Sequence, residues 1–122
     1  PLDTYHFWTR EWMTFPNGTH IAEVEIDPET GRVTLDRYSA VDDYGVIVNP
    51  MVAAGQAHGA IAMGSGQALL ETAVYDDNGQ PVTGSFMDYA LPRASDIPSM
   101  TLGDLPSPAT SNPLGTKGCG EA

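Results

Sequence analysis

The sequence predicts an α+β fold: strand pairs or hairpins packed on one long Gly/Ala-rich helix. Three observations carry that expectation. Apolar residues alternate with polar ones at period two before residue 41. Asn49-Pro50 then opens a stretch of Ala and Gly with no internal proline, and after residue 91 prolines at 92, 98, 106, 108 and 113 exclude any further long helix.

Taken in order, residues 1–13 are aromatic-rich, with Tyr5, Phe7, Trp8 and Trp12, and have no clean period; they are expected to lie against another surface. From 20 to 27, Ala22, Val24 and Ile26 fall on one side and Glu23, Glu25 and Asp27 on the other, the pattern of a half-buried strand. Pro28-Glu29-Thr30-Gly31 reads as a turn with glycine in a left-handed position. Val33 and Leu35 resume the alternation, so a hairpin is expected, its return strand running through Tyr38 to Val41 and on to Val46-Ile47-Val48. Asn49 can accept a first-turn amide and Pro50 fits where no amide is needed, which starts a helix over about 50–71. Gly55, Gly59, Gly64 and Gly66 inside it each cost about 1 kcal/mol relative to Ala, so a close neighbour is expected on that helix. Residues 72–75 and 81–83 flank Asp77-Asn78-Gly79 as a second hairpin, and the rest is extended chain leading to a closing loop.

With 122 residues the chain suits a single domain, 1–122. Five Lys plus Arg stand against sixteen Asp plus Glu, a net charge of −11, which repels nucleic acid and anionic membranes. The stretch 51–70 carries Gln56, His58 and Gln67 among Ala and Gly, too polar for a membrane span. Cys119 is the single cysteine, which fits a reducing, cytoplasmic setting. His6, His20 and Cys119 show no metal-ligand spacing, so no metal site is expected; His58 reads as structural or exposed. Asp76-Asp77-Asn78-Gly79 lacks the acidic residue an EF-hand needs at 74 and reads as a turn.

The closing residues Lys117-Gly118-Cys119-Gly120-Glu121 place a carboxylate on a glycine-flanked loop beside a cation. Such a carboxylate can approach bound chemistry closely, and the cation can hold an anion or favour the ionised carboxylate. Together with Asp43-Tyr44-Gly45-Val46-Ile47-Val48-Asn49-Pro50, Gly55-Gln56-Ala57-His58-Gly59-Ala60, Gly64-Ser65-Gly66-Gln67 and Tyr89-Ala90-Leu91-Pro92-Arg93, this loop resembles the C-terminal part of the molybdopterin-binding large subunit of molybdenum hydroxylases. That is the xanthine dehydrogenase, aldehyde oxidase and aerobic carbon monoxide dehydrogenase family. The resemblance covers residues 14–122, and since complete subunits of that family are several times longer, it implies a C-terminal piece of one.

The resemblance further implies site residues. Glu121 takes the position of the active-site glutamate, a general base beside the molybdenum. Gln56 takes that of a glutamine at the molybdenum centre, its amide donating and accepting without adding charge. Lys117, Gly118, Cys119 and Gly120 form the cofactor-facing loop, Cys119 reading in it as a small apolar residue because no histidine lies nearby in sequence to activate its thiol. The implied cofactor is molybdopterin in a dinucleotide form, with iron–sulfur clusters and FAD on other subunits or domains and none held by the isolated chain. Implied partners are the rest of the large subunit, the iron–sulfur and FAD subunits, and an aldehyde or N-heterocycle as substrate. The isolated chain is expected to be inactive and to self-associate through surface the missing parts would cover. The competing reading is a free-standing acidic α+β module whose aromatic segment binds a partner protein.

Overall fold

In the computed structural model, which describes residues 2–7, 9 and 12–120, the first turn is set by Asp27. Its carboxylate accepts the amides of Glu29 at 2.8 Å and Thr30 at 3.3 Å, which holds it below the usual carboxylate range, the Glu29 amide contributing most. Gly31 takes φ 72°, a region open to glycine without steric cost. The turn closes β1 (Asn17–Ile26) on β2 (Val33–Asp43) as an antiparallel pair. The register shifts between Glu23, opposite Arg37, and Val24, opposite Leu35, so Asp36 is an extra residue in a β-bulge.

Asn49 caps α1 (Pro50–Leu69), its side-chain oxygen accepting the Val52 amide at 3.2 Å, with Pro50 at the first position. The helix closes where Leu70 donates its amide to the Gly66 carbonyl at 2.9 Å, slightly short of the expected residue 71. It forms the crossover that a parallel strand pair requires: β3 (Met100–Asp104) returns to lie parallel to β2, giving the sheet order β1-β2-β3. Ala53, Ala57 and Ile61, four residues apart on one helix face, are buried, and with Leu35, Ala40 and Tyr44 they make up the small apolar core.

Several expectations change in the structure. β1 is exposed on both faces apart from partly covered His20, so Ala22, Val24 and Ile26 are not half-buried; α1 packs toward β3 and leaves that strand uncovered. Tyr5, Phe7 and Trp12 are exposed rather than laid against a surface, and Trp8 lies outside the described residues. Residues 46–48 form no strand, because the chain turns at Gly45 to meet the closing loop. The second hairpin keeps its turn, with Gly79 at φ 81° and the Asp76 carboxylate accepting the amides of Asn78 and Gln80. Its ladder reduces to one bridge, Tyr75 with Pro81, since proline has no amide to donate.

The helix glycines also divide. A methyl group on Gly66 would lie 2.7 Å from Pro92 Cδ, so a close neighbour exists there, whereas Gly55, Gly59 and Gly64 have nothing within 4 Å.

Candidate functional site

Successive residues of a strand point to opposite faces, and Asp42 and Asp43 use this to tie two different sets of partners to the end of β2. Asp42 faces β1: its Oδ1 lies 2.9 Å from His20 Nε2, and its Oδ2 accepts the Tyr44 hydroxyl at 2.8 Å. His20 Nδ1 in turn lies 3.1 Å from the Tyr38 hydroxyl. Glycine at 18 is what admits the Asp42 carboxylate, since a methyl group there would sit 2.0 Å from its Oδ1. Burial, and then the Asp42 acceptor, push the Tyr44 phenol well above its usual pKa.

Asp43 faces the closing loop. Its Oδ2 receives the Lys117 ammonium at 2.6 Å and the Asn17 amide at 3.4 Å; its Oδ1 accepts the backbone amides of Gly45 at 2.8 Å and Ser107 at 2.9 Å. The Lys117 ammonium, with those amides, holds Asp43 down to about 2. Backbone contacts complete the junction. Lys117 donates its amide to the Tyr44 carbonyl at 2.9 Å, Val46 donates to Gly115, and Gly45 bridges Thr116. Gly45 has φ 64°, and a methyl group on it would come 2.3 Å from the Gly115 carbonyl oxygen, so glycine is required twice over. Asn112 shapes the approach, accepting the Thr116 amide at 3.1 Å and donating to its carbonyl at 2.9 Å, with Gly115 at φ 68°.

This junction brings the two distant candidate motifs together. Gln56 is exposed on α1, and its Nε2 lies 3.8 Å from where a methyl group on Gly120 would stand. Between the start of α1 and the loop lies a cavity of about 340 Å³ lined by Tyr44, Val48, Val52, Ala53, Lys117 and Cys119. Cys119 is partly covered, and Gly118 is open. Lys117 is placed differently from a free anion ligand: its side chain is only 11% exposed and is committed to Asp43. His58 lies away on the exposed helix surface, 2.7 Å from the Ala54 carbonyl. Glu121 lies outside the described residues.

The chain matches the molybdopterin cofactor-binding domain family over residues 1–98. It is 41% identical over 112 residues to the 6-hydroxypseudooxynicotine dehydrogenase complex subunit gamma of Paenarthrobacter nicotinovorans, covering 89% of this chain and 14% of that one. This chain belongs to the molybdopterin cofactor-binding domain family, that of the molybdenum hydroxylase large subunits. Solved members share its fold. Quinoline 2-oxidoreductase from Pseudomonas putida 86 superposes with a TM-score of 0.83 at 44% identity over 86% of this chain and 13% of that one. The Cu,Mo-CO dehydrogenase superposes at 0.90 with 33% identity, over 94% and 14%. The chain thus spans about one seventh of the length of the relatives it matches.

For a molybdopterin-binding segment, the composition of the junction is suitable. A pterin and its phosphate need neutral donors and acceptors and close backbone approach. The loop offers open glycines at 118 and 120 beside the Gln56 carboxamide. Sequence reasoning identified those residues but missed Asp43, Tyr44 and Asn112 as their supports. The signal for Asn112 is the string Asn112-Pro113-Leu114-Gly115, a turn sequence. For Asp43 it is the glycine two residues on, where an aspartate accepts the following amide.

Proposed function

We propose that this chain forms one wall of the molybdenum cofactor site of a molybdenum hydroxylase large subunit and supplies its active-site base, Glu121. The observation carrying this reading is the meeting of Gly120 with Gln56, which sets the residue before Glu121 against the helix bearing the glutamine. Family membership supports it over a free-standing interaction module.

When bound, the cofactor supplies the two-electron redox chemistry of the hydroxylation. The chain's own residues divide the remaining work. Gly118 and Gly120 let backbone approach the pterin and its phosphate, and Gln56 orients the group through an amide that adds no charge. Cys119 fills the wall beside Tyr44 and Ala53. Glu121 accepts the proton released as substrate is hydroxylated, work suited to a carboxylate partly screened from water.

The cofactor is taken as a dinucleotide form, with iron–sulfur clusters and FAD on other subunits or domains, in a cytoplasmic complex. Among the described residues no helix is long and apolar enough to cross a membrane. An N-heterocycle or aldehyde is the substrate class, the former supported by similarity to a quinoline oxidoreductase. Alone, the chain is inactive and self-associates through apolar surface near α1 and the aromatic N-terminal segment.

In the full-length subunit, Glu121→Gln keeps shape but removes the base, so reduction by substrate should slow at least about 100-fold with molybdenum content unchanged. Gln56→Ala should instead weaken cofactor retention as well as slow turnover. Rapid-mixing reduction assays normalised to molybdenum separate the two, and a Glu121→Gln enzyme reduced at the normal rate overturns the assignment.

A further inference from the structure

We infer that Asp43 is the positioning residue of the glutamate-bearing loop, and that Lys117 serves as the loop's latch onto Asp43 rather than as a ligand for an anion. The inference rests on the proposed role of Glu121.

The geometry is specific to a latch. Lys117 is attached at two points to consecutive residues, the last of β2 and the one that follows it: its ammonium to Asp43 Oδ2 at 2.6 Å and its amide to the Tyr44 carbonyl at 2.9 Å. Both charged side chains are nearly covered, at 11% and 9% exposure, and releasing either would leave a poorly solvated charge without its partner. The other Asp43 oxygen is held by the amides of Gly45 and Ser107, so the carboxylate cannot turn to follow the lysine elsewhere. Asp42, the neighbouring acid, is engaged by His20 and Tyr44 and offers Lys117 no alternative. Beyond Lys117, Gly118 and Gly120 have little to fix them: a methyl group would meet nothing within 4 Å at the first and only Gln56 at the second. Among the described residues, the hydrogen-bonded fixed point closest in sequence to Glu121 is therefore Lys117, and Asp43 sets where that point lies.

Asp43→Asn tests this directly, because the amide oxygen can still accept from Gly45 and Ser107 while its NH₂ faces the ammonium as donor against donor. In the full-length subunit, Asp43→Asn and Lys117→Met should each slow reduction by substrate about tenfold or more, since a displacement of about 1 Å can cost up to 10²-fold. Molybdenum and pterin content should be unchanged, and amide exchange should speed up across residues 115–120 while α1 keeps its protection. The double variant should lose no more than the worse single one, as expected of two groups acting through one contact. Multiplicative losses, normal rates in both single variants, or loss of pterin in Lys117→Met alone would overturn the inference, the last by making Lys117 an anion ligand after all.

If Asp43→Asn does not assemble, the Lys117 series decides. Lys117→Arg keeps an ion pair and should recover rate and exchange protection that Lys117→Met loses, and equal behaviour of the two refutes the latch. Glu121→Gln separates the two readings: if it is slow while Asp43→Asn is normal, only the latch fails, and if it is normal the base assignment itself fails.

Discussion

The end of β2 and the outer face of α1 are ordered by different means, although a few residues of chain separate them. At the first, Asp42 and Asp43 gather His20, Tyr44, Gly45, Ser107 and Lys117, and no buried side-chain polar atom among the described residues lacks a partner. On the second, Gly55, Gly59 and Met63 are open, with nothing within 4 Å of where methyl groups on the two glycines would stand. The junction carries its order within this segment. The helix face, spaced for close approach, is left open within this segment, which spans about one seventh of the length of the relatives it matches.

The strongest way to break that comparison is Gly45→Ala. It forces a methyl group to 2.3 Å from the Gly115 carbonyl at φ 64°, so the bridge to Thr116 should be lost. Denaturant unfolding should report about 3 kcal/mol or more of destabilisation. An unchanged midpoint would show that the junction is not the ordered end.

Acid gives a gentler test. The folded pKa of Asp43 is depressed from 3.8 to about 2, so its contribution is complete above the unfolded value and is lost as pH falls through about 2. Exchange protection of Thr116 and Lys117 should therefore hold at pH 4 and disappear near pH 2. Loss already at pH 4 would mean that Asp43 is not held as the structure has it.

The smallest effect changes sign. Gly59→Ala should stabilise the isolated chain by up to about 1 kcal/mol through helix propensity, because nothing there obstructs a methyl group. In the full-length subunit the same substitution should destabilise, as the covering chain would meet it. Thermal midpoints of both forms measure this, and a gain in both would mean that the face stays open in the whole protein.

What the sequence made legible was local. Pro28-Glu29-Thr30-Gly31 and Asn49-Pro50 act within a few residues, and the turn and helix start follow from them. β3 was not separable from other extended chain, because its pairing with β2 is set across the whole length of α1. The alternation in β1 correctly marked a strand but not its burial, since burial depends on a packing partner and nothing in this segment packs on its faces. The same limit explains three of the four helix glycines. Gly66 meets Pro92 within the chain, while Gly55, Gly59 and Gly64 meet nothing. At the candidate site, the loop and Gln56 were readable as motifs. Asp43 was not readable as the partner of Lys117, because no pattern connects residues 74 positions apart.

That separation also bears on how the chain assembles. The β1–β2 hairpin closes a short local loop, whereas the Asp43 contacts to Ser107 and Lys117 span 64 and 74 positions. Closing a loop costs chain entropy that rises with its length, and contacts of long sequence separation slow folding. The hairpin can therefore exist before the junction does, and the contacts that fasten the closing loop carry the larger closure cost.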